Sequence, residues 1–524
     1  MFKDSFWAIV PAIIAIVIAL VSKEVYVSLF VGIFIGAFLI VDFNILQGFA
    51  KIFELFCEGL GFEVADMANS SYYNLSILIF LVLLGILVVL VNKSGGAKAY
   101  GEWSSRTIKG RKGVLGATIG LGAIISVDDY FNNLTVGSIM VPVIDKHNIS
   151  HAKLSYIIDS IAAPVCILCP LSSWAVAVSG VCTSTGLQGF ESFIRTIPSN
   201  FYALLTIAML ITLTVTGFDY GKMLYFEKKA SEGNDESVAK DASGDVLSQL
   251  QISEKGKVYD LFIPILVLIF GSIFMMLYTG GLFSGEHTFI EAFGNCDSGI
   301  SLCCGAFFAI VACLLLYIPR RVLTYKQFTE SLTEGFKSMV PALLILVLAW
   351  TLNRVCQQLE INSFVNRVIT GVGLNLGFVP ALFFILALGL AFATGTSWGT
   401  FTILIPIGVT IVSGDETLIY ITIAAILSGA VCGDHVSPIS DTTILASTGS
   451  KCNHIIHVQT QMPYALLVAL VSFIGFILNG FIKKSFIVLI ICMILLVGLL
   501  LGLHLLSKNK EKKRMNLENE NKVE

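Results

Sequence analysis

Residues 114–144 read VLGATIGLGAIISVDDYFNNLTVGSIMVPVI. This stretch holds two apolar runs, 114–127 and 135–144, and each is shorter than the roughly 20 residues that a helix needs to cross a bilayer. The polar segment DDYFNNLT separates them. The same arrangement recurs where the apolar runs 379–393 and 401–412 flank TGTSWGT. We therefore predict two re-entrant helical hairpins with polar tips.

The whole chain has the composition of a membrane protein. Of its 524 residues, 56% are hydrophobic and 13% are charged, which is more apolar than one soluble core needs. Longer apolar stretches of spanning length occur at 6–21, 26–41, 75–91, 201–215, 261–278 and 482–505. We expect the first of them to be retained, because no small-residue cleavage site precedes the next one. None alternates apolar and polar residues as barrel strands do, so the predicted fold class is an all-α polytopic membrane protein.

The chain divides near its middle into two similar halves. Residues 219–257 form its longest polar stretch and are predicted to be a flexible cytoplasmic linker. On either side of it, landmarks recur in the same order. NNLT at 132–135 is echoed by TSWGT at 396–400, and PLSSW at 170–174 is echoed by PISDT at 438–442. We interpret this pattern as two internal repeats.

Loop charges orient the repeats. The basic loops 92–113 and 319–337 are expected in the cytoplasm, and the acidic stretch 281–298 outside. The span at 75–91 then ends inside, whereas its counterpart at 339–357 starts inside, so the repeats are inverted. The predicted organisation is a first membrane repeat (1–218), the linker (219–257), an inverted repeat (258–482), an extra transmembrane helix (483–506) and a charged cytoplasmic tail (507–524).

Each hairpin is followed by a span that polar residues, prolines and glycines interrupt, at 164–174 and at 433–442. Irregular backbone at membrane depth is tolerated only where it lines a cavity. Broken helices at matching positions of two repeats indicate a central binding site. The fold prediction is therefore two inverted-topology repeats with re-entrant hairpins and broken transmembrane helices around one midplane site.

Polar residues of these segments are the candidate ligands. An ionised carboxylate in an apolar surrounding costs several kcal/mol unless a cation, a proton or donors accompany it. The candidates for binding a cation or a proton are Asp128, Asp129, Asn132, Asn133, Thr135, Asp159, Asp434, His435 and Asp441. Na⁺ prefers hard oxygen ligands, and we expect it at Asp128, Asp129 and Asn133. Further cavity oxygens are Ser172, Ser173, Thr396, Ser397, Thr400, Ser437, Ser440 and Thr442.

Several of these residues have a second interpretation. Asn132 and Asn133 can instead cap the half-helix that follows them, and a lone Asp159 can pair with a neighbouring helix. Asp434 next to His435 is predicted to form a proton-binding pair. Four further histidines are assigned to cytoplasmic loops, where they are surface residues or weak candidates for pH sensors: His147, His151, His454 and His457.

The motifs resemble those of the NhaC-type Na⁺/H⁺ antiporter family. The resemblance lies in SVDDYFNNLTVGSIMVPV (126–143), IDSIAAPVCILCPLSSW (158–174), TGTSWGTFTILIP (394–406) and GDHVSPISDTTILASTG (433–449), and extends loosely over 70–470. Members of its wider ion-transporter superfamily carry two inverted repeats with paired hairpins. The resemblance implies cation/proton exchange with Asp128, Asp129, Asp434 and Asp441 as the motif carboxylates. Similar proteins include exchangers that couple Na⁺ and H⁺ to malate and lactate. The resemblance also leads us to expect a homodimer.

The sequence thus predicts a Na⁺/H⁺ antiporter of a bacterial-type inner membrane, working by alternating access. The alternative is a Na⁺- or H⁺-coupled carrier of an organic acid or amino acid, whose carboxylate half-helix N-termini can hold. A channel would instead need a continuous polar pore. An enzyme is the least expected class, because no nucleophile–base or cofactor motif occurs. No GxxxxGK[ST] motif supports ATP-driven transport and no motif indicates nucleic acid; the expected partners are the lipid bilayer, Na⁺ and H⁺, with no cofactor.

Overall fold

A computed structural model describes residues 2–22, 25–62, 72–126, 128–239, 252–285, 288, 292, 296–360, 363–364, 375–438 and 440–523. In these ranges the protein is built from α-helices, and its single antiparallel bridge joins Val238 to Cys452. Eight of the helices described are long and apolar enough to cross a membrane. The chain is therefore a multi-pass membrane protein, as its composition predicts.

The helices follow the predicted order of elements. The first half contains α1 (Phe6–Ser22), α2 (Val25–Ile40), α3 (Ile45–Gly59), α4 (Tyr73–Lys93), α5 (Gly96–Thr107), α6 (Arg111–Ile124), α7 (Asp129–Lys146), α8 (His151–Cys166), α9 (Ser173–Ser184), α10 (Gly189–Thr196) and α11 (Phe201–Thr216). After α12 (Gly221–Ser231), the second half contains α13 (Val258–Thr279), α14 (Ser298–Tyr317), α15 (Tyr325–Gln358), α16 (Val379–Thr394), α17 (Ser397–Ile411), α18 (Glu416–Val436), α19 (Asp441–Gly449), α20 (His454–Ile482) and α21 (Ser485–Val523).

The spans predicted at 75–91, 201–215 and 261–278 correspond to α4, α11 and α13. The apolar stretches 6–21 and 26–41 form α1 and α2, which at 17 and 16 residues are shorter. The last predicted span, 482–505, begins three residues later than expected, because Lys483 adopts a left-handed φ of 53° and ends α20. Helix α21 then continues through the predicted tail to Val523.

Both predicted hairpins and both predicted helix breaks are present. Helices α6 and α7 form the first hairpin, and α16 and α17 form the second. Their tips are shorter than expected, because the polar residues from Asp129 and from Ser397 onward already belong to α7 and α17. The chain is broken between α8 and α9 at 167–172, and between α18 and α19 at 437–440.

Corresponding helices of the two halves run antiparallel, which confirms that the repeats are inverted. Gly85, in the C-terminal half of α4, packs on Gly335 near the start of α15. At the other end of α4, Ile77 and Trp350 both pack around Gly180. Helices α11 and α20 show the same relation. The start of α11 packs near the end of α20, where the rings of Phe201 and Phe476 are 5.0 Å apart.

The basic loops predicted to be cytoplasmic lie on one face of the protein. The ammonium group of Lys93, at the end of α4, lies 2.7 Å from the carboxylate of Glu334 at the start of α15. Arg320, in the second basic loop, pairs with Asp260 at the start of α13. Neighbouring positions of the two loops thus share one side, which we call the basic face.

The prediction of a flexible linker is wrong for residues 219–239. They form α12 and then pack on the basic face, where Glu227 accepts hydrogen bonds from the backbone N–H and hydroxyl of Ser150 (2.9 and 2.6 Å). Asp235 accepts from the N–H of His151 at 2.8 Å. These carboxylates accept hydrogen bonds from the N–H groups at the start of α8, which have no partner within the helix. The polarity of the linker sequence does not reveal this contact with α8. Residues 240–251 of the linker lie outside the described residues.

Candidate functional site

Four half-helices, α7, α9, α17 and α19, form the centre of the protein. In the first pair, α7 and α19 pack closely: a Cβ atom added to Gly137 would lie 2.6 Å from the carbonyl carbon of Gly449. Just beyond their C-terminal ends, His151 Nδ1 lies 2.5 Å from the carbonyl oxygen of Ser450. The two helices therefore run in the same direction, and their N-termini lie on the same side of this contact.

The second pair, α9 and α17, meets at its N-termini. The rings of Trp174 and Trp398, each in the first turn of its helix, are 6.1 Å apart, and Phe401 packs against Trp174 at 5.6 Å. Each pair contains one half-helix from each repeat. Asp434 on α18 accepts hydrogen bonds from both α17 and the start of α19. The two pairs of half-helices therefore meet at a common centre.

The carboxylate of Asp434 receives hydroxyl groups from two of these half-helices. Its Oδ2 accepts hydrogen bonds from Ser397 Oγ (2.9 Å) on α17 and from Thr442 Oγ1 (3.1 Å) on α19. The residue lies near the C-terminus of α18 and is 1% exposed. Three helices thus converge on one buried carboxylate. Asp441 begins α19, but its side chain is not among those that the structure describes.

Asp128 and Asp129 lie at the tip of the first hairpin and are 2% and 0% exposed. The carbonyl oxygen of Asp128 accepts the N–H of Asn132, and Asp129 Oδ1 accepts the N–H of Tyr130 (3.2 Å). Both carboxylates lie near the thiol of Cys166, the last residue of α8. The hairpin tip therefore faces the first helix break, as the sequence predicts.

The two asparagines lie inside α7 and do not cap it. Asn132 Nδ2 donates to the carbonyl of Gly122 on α6 at 2.6 Å, which joins the arms of the hairpin. The fully buried amide group of Asn133 has no hydrogen-bond partner among the described residues, and neither has Asn132 Oδ1. Buried amides are nearly always paired, so these oxygens are suitable ligands for a cation. Thr135 instead donates to Asn92 on α4 (3.1 Å).

Asp159 forms a network with residues that the sequence analysis did not select. Its Oδ2 accepts hydrogen bonds from Gln461 Nε2 (2.6 Å) and His457 Nε2 (3.2 Å) on α20, and from Thr443 Oγ1 (3.3 Å) on α19. His457 is fully buried within α20, so its assignment to a cytoplasmic loop is wrong. The helix begins at His454, earlier than expected, and carries His457 into the protein.

His435 and the other histidines have different surroundings from those predicted. His435 Nδ1 lies 3.1 Å from the hydroxyl of Tyr202 on α11, rather than in the expected proton-binding arrangement with its neighbour in sequence. His151 is also buried, on α8, and its Nε2 lies 2.9 Å from Asp145. The structure therefore separates the buried imidazoles from the half-exposed His147, which sequence adjacency alone cannot do.

The predicted cavity oxygens divide into two groups. Ser397 and Thr442 donate hydrogen bonds to the candidate carboxylate of Asp434. The others support the backbone: Ser172, Thr396 and Ser440 cap α9, α17 and α19, Thr400 donates to the carbonyl of Thr396, and Ser437 donates to that of Phe392. Ser173 Oγ is buried with no partner among the described residues.

The hairpins and broken helices carry acids but no fixed positive charge. The sequence has no Lys or Arg in 114–145, 154–194, 368–450 or 452–482, and these stretches include all five candidate aspartates. The basic side chains nearby in the fold pair with other acids, for example Lys153 with Asp219 and Lys93 with Glu334. Within the described residues, no three His, Cys, Asp or Glu side chains are grouped as ligands for a metal ion. A cation here would be held by carboxylate, amide and hydroxyl oxygens together.

Inverted repeats, paired hairpins and broken helices around buried carboxylates define a secondary transporter rather than an enzyme. The sequence model of the Na⁺/H⁺ antiporter family matches residues 165–481. Over 492 residues the chain is 37% identical to an uncharacterized protein of Haemophilus influenzae, covering 92% of each chain. The protein belongs to the Na⁺/H⁺ antiporter family.

Two further relatives match over shorter regions. The chain is 31% identical over 176 residues to the malate-2H⁺/Na⁺-lactate antiporter of Bacillus subtilis, covering 30% of this chain and 34% of that protein. It is 37% identical over 110 residues to the arginine/ornithine antiporter ArcD of Halobacterium salinarum, covering 20% and 23%. The fold is similar to that of the YdaH transporter of Alcanivorax borkumensis, with a TM-score of 0.55, 12% identity and coverage of 84% and 90%.

Proposed function

We propose that the protein exchanges Na⁺ for H⁺ by alternating access at the centre formed by the four half-helices. The observation that carries this proposal is the buried Asp434 carboxylate, which receives two hydroxyl groups from two helices of a region without lysine or arginine. A carboxylate that is buried in a stretch without lysine or arginine favours the binding of a proton or a cation. The two cations therefore compete for one site, and this competition is the basis of antiport.

The proposed ligands come from both repeats. Asp434, together with the hydroxyl oxygens of Ser397 and Thr442, would provide the second repeat's share of Na⁺ coordination. Asp128, Asp129 and the unpaired Asn133 oxygen would provide the first repeat's share. Hard oxygen ligands of this kind suit a dehydrating Na⁺. The half-helices would move as a unit against the antiparallel helices α4 and α15, and would expose the site to each side in turn.

The test is the internal pH of proteoliposomes that hold a pH-sensitive dye, with the membrane potential clamped. External Na⁺ is expected to make the interior alkaline, and K⁺ is the cation control. Asp434→Asn should abolish the signal while the protein remains folded, because the amide keeps the volume and loses the charge. Asp415→Asn, the same substitution at the exposed start of α18, should exchange normally. Normal exchange by Asp434→Asn would refute this ligand assignment, and silence of the wild type would refute Na⁺/H⁺ exchange.

A second candidate is a carrier that exchanges an organic acid or an amino acid. It is favoured by the meeting N-termini of α9 and α17, where Ser173 Oγ and the indole N–H groups of Trp174 and Trp398 are buried without partners among the described residues. Donors at helix N-termini suit a carboxylate, and the aspartates would hold an ammonium group. The malate/lactate and arginine/ornithine relatives are consistent with such cargo. Uptake of labelled lactate, malate or arginine by loaded proteoliposomes tests this candidate.

We also propose that the protein lies in a bacterial inner membrane with the basic face and the C-terminal helix end in the cytoplasm. The pairing of Lys93 with Glu334 supports a common side for both basic loops. Labelling of single engineered cysteines in a cysteine-free variant of the chain, on intact and on broken cells, tests this orientation. The expected homodimer stays a prediction, which native mass spectrometry of the detergent-purified protein can check.

A further inference from the structure

A second titratable centre lies beside α19, where Thr443 follows the Thr442 that donates to Asp434. The Asp159 carboxylate on α8 and the His457 imidazole on α20 are 1% and 0% exposed, and His457 Nε2 lies 3.2 Å from Asp159 Oδ2. The pair joins the two repeats, since α8 belongs to the first and α20 to the second. Because a carboxylate only accepts hydrogen bonds, the Nε2 atom carries the hydrogen of this contact.

Gln461 holds this pair in a fixed geometry. It lies one helical turn after His457, and its Nε2 donates to Asp159 Oδ2 at 2.6 Å and to the carbonyl oxygen of His435 at 2.8 Å. With Nε2 of His457 occupied, its Nδ1 is the atom open to a further proton, and it has no hydrogen-bond partner among the described residues. Asp159 Oδ1 likewise has none.

We infer that Asp159 and His457 form the proton-binding site of the transporter, separate from the cation ligands at Asp434. Uptake of one proton at His457 Nδ1 converts the pair from one net negative charge to neutral, and its release restores the negative charge. A buried carboxylate stabilises the imidazolium that forms. No metal is needed at this site.

Other titratable groups also face the pair. His435 from α18 lies near Asp159, and Tyr202 from α11 lies nearby; both are buried. His457 is the imidazole that contacts the Asp159 carboxylate directly, at 3.2 Å. From α8 itself Tyr156 lies nearby, and Cys432 of α18 lies beside Tyr202. The sequence has no Lys or Arg at 154–194, which includes most of α8, or at 452–482, which includes α20.

Thr443 connects the proton site to the cation site. Its single hydroxyl lies 3.3 Å from Asp159 Oδ2 and 3.3 Å from the backbone carbonyl of Asp434. One hydroxyl hydrogen serves one acceptor at a time. When the pair carries its negative charge, the hydrogen is directed to Asp159; when the pair is neutral, it turns to the Asp434 carbonyl. Protonation at the pair thus changes the hydrogen bonding of the helix end that carries the Na⁺ ligand, and we assign Thr443 as a positioning residue.

This inference rests on the proposed Na⁺/H⁺ exchange for its meaning in transport, but its first test needs no cation. Protein labelled with ¹⁵N-histidine and reconstituted in lipid is observed by solid-state NMR between about pH 5 and pH 9. His457→Gln identifies the resonance among the seven histidines. We expect neutral His457 with a protonated Nε2 at high pH and an imidazolium at low pH. Asp159→Asn should change the ¹⁵N chemical shift of His457 Nε2 at high pH, because the carboxylate that accepts its hydrogen bond is lost.

The second test separates proton coupling from the integrity of the site. Proteoliposomes are assayed for ²²Na⁺/Na⁺ exchange, which moves no proton, and for Na⁺/H⁺ exchange. His457→Gln should keep the first activity and lower the second about tenfold or more, and its pH profile should become flat. The matched control is His147→Gln, the same substitution at a half-exposed residue of the loop after α7, which should keep both activities.

The outcomes are distinct. A His457 that stays neutral throughout the titration overturns the inference, as does a His457→Gln variant with wild-type Na⁺/H⁺ exchange. Equal loss of both exchange modes would assign the residue a purely structural role and also overturn it. If the wild type moves no Na⁺ at all, the proposed function fails, and the NMR titration alone then decides whether the pair binds a proton.

Discussion

The ion pair between Lys153 and Asp219 gives a sharp test of how the linker holds the two repeats. Lys153 Nζ lies 2.5 Å from Asp219 Oδ1, and the two side chains are 2% and 9% exposed. Tyr464 on α20 donates its hydroxyl to the same carboxylate oxygen at 3.1 Å. The first turn of α8, the third residue after α11 and the second repeat therefore share one buried charge pair on the basic face.

We expect Lys153→Met to be strongly destabilising and the double variant to be nearly harmless. Removal of Lys153 leaves the buried Asp219 carboxylate without its ion-pair partner, and only the more distant charge of Arg111 remains. Breaking a buried pair in this way costs roughly 3–5 kcal/mol. Lys153→Met with Asp219→Asn removes both charges at similar volume, and such replacements are often neutral or stabilising. The two substitutions should therefore show a coupling energy of roughly 3 kcal/mol or more in a double-mutant cycle.

The assay is unfolding of the purified protein in dodecyl maltoside micelles by increasing fractions of sodium dodecyl sulfate, followed by tryptophan fluorescence. Lys109→Met, at an exposed residue after α5, is the matched control and should stay within about 0.5 kcal/mol of the wild type. The reasoning is refuted if Lys153→Met is as stable as this control. It is equally refuted if the double variant is as unstable as the single one, since the cost would then not come from the unpaired carboxylate.

Two further predictions concern packing and pH. Gly137→Ala places a Cβ atom 2.6 Å from the backbone of Gly449. It should therefore lower the free energy of unfolding by about 1–3 kcal/mol and slow exchange. The control Gly120→Ala, whose Cβ atom meets no other atom within 4 Å, should have neither effect. The hydrogen bond from Lys483 lowers the pKa of Asp415, so this carboxylate contributes stability above about pH 4 that is lost as the pH falls through its lowered pKa. Asp415→Asn should lower the free energy of unfolding by less than about 1 kcal/mol at pH 7, because the Asp415–Lys483 pair is partly exposed. Denaturant unfolding of both proteins at pH 7 and at about pH 3 should show a smaller difference in stability at the lower pH. A difference that grows on acidification would contradict this assignment.

The hairpins and helix breaks could be predicted because their signal is local. An apolar run that is too short to span a bilayer and ends in DDYFNNLT or TGTSWGT is typical of a helix that enters the membrane and turns back. Loop charges then oriented the repeats, and the antiparallel packing of α4 with α15 agrees with that orientation. The burial of Asp128, Asp129 and Asp434 could be predicted for the same reason, since a carboxylate inside an apolar segment stands out in the sequence.

His457 was missed because its partner is far away in the chain. It lies 298 residues from Asp159 in the sequence, and the sequence analysis assigned it to a cytoplasmic loop. One local signal was present: His457 and Gln461 are spaced by four residues and so lie on one face of a helix that becomes apolar afterwards. The ordered part of the linker was missed for a related reason, because the N–H groups that its carboxylates cap belong to α8.

Local features of the chain are enough to predict that this protein spans a membrane, that it is duplicated with inverted halves, and that its polar residues gather at two hairpin tips and two helix breaks. These properties follow from length, hydropathy and charge along the chain, which act locally. Long-range packing is what brings particular polar groups together: Ser397 and Thr442 at Asp434, and His457 with Gln461 at Asp159. A hydrogen bond depends on atoms within about 3 Å of each other, and helices from opposite ends of the chain come that close only after both repeats have packed together.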